Sequence, residues 1–382
     1  MAQRRDFLKG FFAVASTAGC LRFTGEQQST DTPGESVHSG QTTAQEASEN
    51  SKSITLTISE DFNNIFNEPE FLRVNDGILY SVGNYIQAVD VESQDIIWQT
   101  KVNLDSEPNS VSITRSGIYV GGSTRVQALA PKSGEILWTF HTDKINKEHS
   151  GFDALSANND RVFAGLCAAA GEDESVFFSL NATEGTKEFH TRIEDYVDSI
   201  VTHDGLAYLG IDTQSMGYNP EKKALFSTQI QFGIDVGGVM RIVGNLMLLR
   251  DRSVKVHDLA KKTNVFKKEV PGYSYIPPTL TNESIISAGE TGIYSHDGSS
   301  GSEQWHIRTT STIRSSIVPY ESFVLSADTS GNLYCIDVSS GELILDQNMT
   351  GGNRIETLGV VDDTLFLTDS SGQVKGYTIM SG

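Results

Sequence analysis

Long apolar runs are absent from this 382-residue chain. No stretch reaches the roughly 18 consecutive apolar residues that a membrane-spanning helix needs, so no helical span is encoded. Basic residues are scarce as well: 29 Lys and Arg face 49 Asp and Glu, for a formal net charge of −20. A surface this acidic repels polyanions, which sets aside nucleic acid and anionic lipid as partners. The only cysteines are Cys20, Cys167 and Cys335, and no two are adjacent. Beyond residue 53 no segment carries a convincing 3.6-residue apolar period. Several chemical signatures are missing too. There is no G-x-x-x-x-G-K-[ST] phosphate loop, no G-x-G-x-x-G opening a helix, no D-x-[DN]-x-[DN]-G calcium loop and no G-x-S-x-G nucleophile elbow.

What is present begins at the N-terminus. Arg4 and Arg5 are followed by Asp6, Phe7, Leu8 and Lys9. The run resembles the twin-arginine export motif R-R-x-F-L-K, an address read by a receptor rather than an anchor. A short, mildly apolar stretch follows, as in a signal peptide. Cys20 comes directly after Thr17, Ala18 and Gly19. This triplet resembles a lipobox, which implies cleavage before Cys20 and a lipid on its sulfur. The segment up to residue 52 is rich in Ser, Thr, Gln, Glu and Gly, with almost no large apolar side chain. It cannot repay the entropy of ordering and is expected to be disordered. A flexible coil of about 30 residues reaches roughly 30 Å. The expected organisation is a signal peptide at 1–19, a lipid-anchored tether at 20–52 and a globular domain at 53–382. Such a chain is exported and held at the outer face of the cytoplasmic membrane. The acid excess and the export signal together resemble proteins of salt-loving archaea. In strong brine a Debye length of about 3 Å at 1 M salt screens the self-repulsion.

The domain is built on a repeat of about 40 residues. A short apolar strand, a second strand ending in Asp or an equivalent, a turn often closed by Gly, and a third strand with an aromatic recur along the chain. The clearest copies are GILYSVGNYIQAVDVESQDIIW (77–98), GIYVGGSTRVQALAPKSGEILW (117–138) and SADTSGNLYCIDVSSGELIL (326–345). The end of the second strand holds Asp90, Ala130, Asn181, Asn219, Asp258, Asp297, Asp337 and Thr378. An Asp or Asn there accepts from backbone N–H groups just ahead and closes an Asx-turn. Four residues further come Gln94, Gly134, Gly185, Lys223, Lys262, Gly301, Gly341 and Gly382, as a turn with positive φ prefers. Eight residues past the first column come Trp98, Trp138, Phe189, Phe266, Trp305 and Leu345. The fourth copy is out of step, with its aromatic, Phe226, seven residues past Asn219. Every Trp of the chain falls in this one column. The one long step, between the second and third copies, holds a 143–152 loop and an acidic Gly171–Ser175 hairpin.

Four short strands per unit is the arithmetic of a propeller blade. The expected fold is all-β, an eight-bladed β-propeller of four-stranded antiparallel blades. The eighth copy stops at Gly382, one strand short, whereas Ile54, Leu56 and Ile58 alternate with Thr55, Thr57 and Ser59 in a strand that has no copy of its own. Residues 53–60 are therefore expected to complete the last blade, close the ring and remove an open edge. Cys167 and Cys335 fall four blades apart, cannot meet, and read as small buried hydrophobes.

The phrase Ala-[Leu/Val]-Asp, a Ser-Gly turn and a Trp resembles the repeat of pyrroloquinoline-quinone-like (PQQ-like) propellers across nearly all of 71–382. That resemblance has two functional branches: quinoprotein alcohol and sugar dehydrogenases, and non-catalytic lipoproteins such as the propeller subunit of the barrel-assembly machinery. Dehydrogenases of the family stack the quinone between a Trp floor and a vicinal disulfide and hold Ca²⁺ with Glu, Asn and Asp. Here no Cys-Cys pair exists and every Trp sits in the repeat column. The expectation is a non-catalytic, monomeric, cell-surface scaffold that binds envelope proteins through its irregular loops, with neither cofactor nor catalytic residue. A PQQ-using dehydrogenase and a solute or glycan sensor built on Tyr273 and Tyr275 are the alternatives. The singled-out residues are Cys20 for the lipid, Arg4 and Arg5 for export, and Asp90, Trp98, Gly134, Trp138, Asp258, Asp297, Trp305 and Asp337 for the structural columns. His141, Asp143, His149 and Asp153 form a weak metal constellation, more readily explained as solvated loop residues. Asn181, Asn282 and Asn348 open glycosylation sequons.

Overall fold

The computed structural model describes residues 54–59, 71–75, 77–142, 149–168, 174–211, 214–231, 239–250, 252–274 and 276–381. Arg4, Arg5, Cys20, the expected tether, Asp143 and Tyr275 lie outside the described residues. Among the described residues every regular element is a strand, and the strands form eight four-stranded antiparallel sheets. Seven sheets are simple meanders of consecutive strands: blade 1 spans 71–101, blade 2 110–141, blade 3 149–193, blade 4 197–231, blade 5 239–269, blade 6 279–307 and blade 7 318–348. Blade 8 is composite. Its three consecutive strands, Ile355–Val361, Thr364–Asp369 and Val374–Ser381, are joined at the outer edge by Ile54–Ser59.

The closing pair is antiparallel, with Ile54 opposite Ser381 and Ser59 opposite Gly376. Ile54 packs with Val318, Leu325, Leu358, Leu365 and Ile379 in the layer between blades 7 and 8. The strand thus satisfies an edge and adds apolar cover in one stroke.

The first strands of successive blades touch one another: Phe71–Asn75 with Ser110–Ile113, then His149–Ala157, Val197–His203, Val239–Val243 and Thr279–Thr281 in turn. Val318–Tyr320 touches Ile355–Val361, which returns to Phe71–Asn75. These strands therefore surround the axis, and each fourth strand lies at the rim. The apolar core is a series of layers between neighbouring blades. Tyr80, Val82, Ile86 and Trp98 of blade 1, for example, pack on Val111, Ile118, Val120 and Leu129 of blade 2.

A repeated irregularity fixes the aromatic column. In blades 1, 2, 3, 5, 6 and 7 the pairing of the third and fourth strands slips by one residue just inside the turn, as between Ala88 and Val89 or between Ala128 and Leu129. This β-bulge inserts a residue on the rim strand. Trp98 then pairs with Ala88, and Trp138 with Ala128. Blade 4 has no slip at that point: Leu225 pairs with Tyr218, and Phe226 with Gly217. Phe226 therefore occupies the register of Trp98, and the seven-residue spacing that looked out of step is the missing bulge residue.

One other expectation needs correction. The 143–152 segment is not a loop throughout, because 149–152 belong to the innermost strand of blade 3, whose pairing slips twice. Cys167 and Cys335 are both fully buried and are not joined to each other. Cys335 is a free thiol whose pKa burial pushes up to about 12.

Candidate functional site

The rim is organised by the turn column. Asp90 Oδ1 accepts the Ser93 N–H at 2.8 Å, Asp258 Oδ1 accepts that of Lys261 at 2.9 Å, and Asp337 Oδ1 accepts those of Ser339 and Ser340 at 3.0 and 2.9 Å. Asp297 Oδ1 accepts the Ser299 and Ser300 hydroxyls at 2.6 and 2.8 Å as well as both backbone N–H groups. The Ser299 hydroxyl and the Ser300 contacts hold the Asp297 carboxyl down at about 2. Backbone and side-chain hydrogen bonds at Ser93 and Lys261 likewise hold Asp90 and Asp258 below the usual carboxylate range.

The blade junctions use the next two columns together. Trp98 Nε1 donates to the Pro131 carbonyl at 2.8 Å, Trp138 Nε1 to Ala182 at 2.9 Å and Trp305 Nε1 to Val338 at 2.8 Å, each in the following blade. The ring lies against the turn glycine of that blade: Trp98 on Gly134, Trp138 on Gly185, Phe266 on Gly301 and Trp305 on Gly341. Gln94, Lys223 and Lys262 adopt the same positive φ, at 63°, 48° and 57°. Backbone conformation alone therefore does not explain the glycines; the docked ring does. Tyr80 and Tyr119 back Trp98 and Trp138 at ring separations of 6.1 and 5.9 Å, a tyrosine column that the sequence reading missed.

The junction of blades 4 and 5 departs from this scheme. A side chain, Lys262, stands where the glycine would receive a ring. Phe226 does not dock forward but lies over Gly217 of its own blade, edge-on to Tyr208 at 6.3 Å, and stays 36% exposed. The space left is a cavity of about 380 Å³ lined by Tyr208, Phe226, Thr228, His257, Leu259 and Lys262 among others. His257 Nδ1 is 2.9 Å from Asn264 Oδ1.

The axial strands carry buried charge. Asp153, Asp198 and Glu356 are each the residue skipped by a bulge in the innermost strands of blades 3, 4 and 8, and all three are buried. Glu356 is paired with the Arg354 guanidinium, whose Nε lies 2.8 Å away. Arg73 and Arg241 occupy matching positions in blades 1 and 5, each the third residue of its innermost strand. Burial pushes them down to about 9 and about 10, which leaves both cationic at neutral pH. The innermost strands therefore bury both acidic and basic side chains. Among the described residues no group of three or more His, Cys, Asp or Glu is placed to hold a metal.

The structure does not gather the singled-out residues into one pocket. Asp90, Gly134, Asp258, Asp297 and Asp337 lie at rim turns, and Trp98, Trp138 and Trp305 lie between blades. His141 ends the rim strand of blade 2, whereas Asp153 is on the innermost strand of blade 3. Tyr273 faces the Arg252 guanidinium at 4.7 Å from its ring centre. Asn282 and Asn348 are exposed, but the Asn348 amide already donates to Ser330 and Asn332, and Asn181 accepts in its own turn.

The family model described as outer membrane protein assembly factor BamB matches residues 36–226 and 227–374. Among solved structures, the computationally designed Ika8 protein is similar with a TM-score of 0.68 and 14% identity, over 80% of this chain and 95% of that one. BamB from Moraxella catarrhalis is similar at 0.64 and 14%, over 85% and 97%. A europium-containing methanol dehydrogenase is similar at 0.64 and 10%, over 82% and 84%. At these identities the likeness shows the fold alone. No curated protein sequence matches the chain significantly.

Proposed function

The chain belongs to the family of the outer membrane protein assembly factor BamB, and we propose that it works as a non-catalytic scaffold that binds other proteins at the cell envelope. The observation that carries this reading is the use of the indoles. All three Trp side chains are committed to blade junctions, each with its Nε1 donating to a carbonyl of the next blade. A flat quinone of the kind dehydrogenases with this fold hold would need an aromatic floor, and none of the three Trp is left free to form it. The acidic column supports the same conclusion, because its Asp side chains each close a turn, with Oδ1 accepting turn N–H groups and, at Asp297 and Asp337, Ser hydroxyls. What remains available is a rigid disc with loops and clefts between blades.

On this reading Arg4 and Arg5 direct export, and a lipid on Cys20 holds the disc at the outer face of the membrane, with residues 20–52 as its tether. The scaffold recognises a partner of that surface. Affinity capture from detergent-solubilised membranes tests it: a stoichiometric partner is expected, and its absence would overturn the proposal. Dye reduction with alcohols or sugars in the presence of PQQ and Ca²⁺ tests the dehydrogenase alternative, and turnover would replace the scaffold. Cys20→Ser is expected to release the chain into the medium. Intact mass of the mature chain reads a diacylglycerol on that sulfur.

A further inference from the structure

We propose that the cleft between blades 4 and 5 is the docking slot for an aromatic side chain of the partner, presented next to a carboxylate; this rests on the scaffold reading above. The precedent is inside the molecule. At three other junctions an indole enters between blades and donates to the carbonyl just past the turn Asp or Asn column: Pro131, Ala182 and Val338. The corresponding carbonyl of blade 5 is that of Leu259, which lines the cleft. Its equivalence is fixed by the backbone: the Leu259 N–H donates to Asn245, as those of Ala182 and Val338 donate to Asp160 and Ser322 in the matching hairpins. No other described residue donates to the Leu259 carbonyl. The chain's own aromatic is held back, because Lys262 replaces the glycine on which it would rest.

The lining states what the occupant is. Phe226 offers an exposed ring face, backed by Tyr208, on which a second ring can stack. The volume of about 380 Å³ falls in the range of small-ligand pockets and admits an indole or phenol. Lys262 makes no ion pair among the described residues, so its ammonium is available to a carboxylate beside the incoming ring. In a chain of net charge −20 a cation at the mouth of an aromatic slot is a local reversal of sign. It selects an anionic aromatic segment and lets the rest of the acidic surface reject misplaced ones.

The test uses the propeller with N-acetyl-Trp-Glu-amide, its 1-methyl-indole analogue and N-acetyl-Ala-Glu-amide, followed by saturation-transfer NMR and calorimetry. The Trp-Glu peptide is expected to bind, the Ala-Glu peptide not to, and the methylated analogue to bind several-fold more weakly for want of an N–H. Lys262→Glu is expected to weaken the Trp-Glu peptide about five-fold, and raising salt to 1 M to erase that difference. The double variant Phe226→Trp with Lys262→Gly rebuilds the junction found elsewhere in the ring. It is expected to melt higher than the parent and to lose the peptide, so loss of binding there cannot be loss of fold. Undiminished binding by the double variant, or no binding of the Trp-Glu peptide at millimolar concentration, overturns the slot. If membrane capture still yields a partner that the double variant retains, the slot fails and the scaffold stands. If the peptide binds as described and no partner is captured, the scaffold fails and the slot stands.

Discussion

Trp138 occupies the space that a side chain at Gly185 would need: a Cβ placed on that glycine would stand 2.5 Å from the indole ring. The two residues belong to different blades and are far apart in sequence, yet neither can change without the other. Gly185 also has φ of +68°, so a side chain there meets both backbone strain and the ring.

Gly185→Ala is therefore expected to destabilise the domain by roughly 2–4 kcal/mol, combining the strained backbone with overpacking. Gly205 supplies the control, since it has φ of +75° but nothing within 4 Å of a Cβ. Gly205→Ala is expected to cost about 1 kcal/mol. Denaturant unfolding of the two variants side by side measures the difference, and equal losses would mean that the ring does not enforce the glycine.

Trp138→Phe keeps the ring but removes the donor to the Ala182 carbonyl, which is then left unpaired between blades. The expected loss is about 1–3 kcal/mol. The midpoint of denaturation should fall with an unchanged m-value, because the compactness of the ring is retained.

Ile54→Asp places a charge in the layer between blades 7 and 8, where Ile54 is 7% exposed. It is expected to detach the closing strand, leave Val374–Ser381 as an open edge and lower the melting temperature of the whole ring, with light scattering rising on heating. A variant that melts like the parent would show that closure by this strand adds no stability.

Acid should loosen the turns that Asp carboxylates hold. Asp297 is depressed to about 2, and Asp90 and Asp258 are depressed as well. Burial works to raise Asp328, but hydrogen bonds from the Asn332 backbone and the Thr310, Asn332 and Tyr334 side chains outweigh it and hold Asp328 low too. A carboxyl whose folded value lies below its unfolded value contributes stability that is present above about pH 4. That contribution fades as pH falls through the folded values, toward about 2 at Asp297. Asp297→Asn is expected to flatten the stability loss between pH 4 and 2 while lowering stability at pH 7. Urea midpoints across that window read both effects.

Much of this architecture was legible in the sequence because its signals are residue types that repeat. The Asp or Asn turn, the glycine and the aromatic rim residue recur in order through most of the blades, and the unpaired alternation of Ile54, Leu56 and Ile58 announced the closing strand. The acids at the axial bulges were not legible. Asp198 stands ahead of a two-residue turn and Asp153 ahead of a longer one, so their common position is masked until pairing aligns them. Bulges also hid the strand at 149–152, since each slip breaks the alternation that marks a strand. The cleft was hidden for a different reason. Lys262 is an acceptable turn residue in its own blade, and only its spatial neighbour Phe226 reveals what the missing glycine does.

The pairing of Ile54 with Ser381 also sets a schedule for biosynthesis. The first of the described strands to leave the ribosome is among the last to find its partner, because that partner is made after the seven other blades. Until then seven meanders can condense locally as they emerge, each from contacts between near neighbours in sequence. The arc they form has no clasp, and its two raw ends remain adhesive for the whole of translation. Slow elongation or an early stop should thus yield not a slightly weaker disc but an open, sticky intermediate, and the cell must shield it or degrade it.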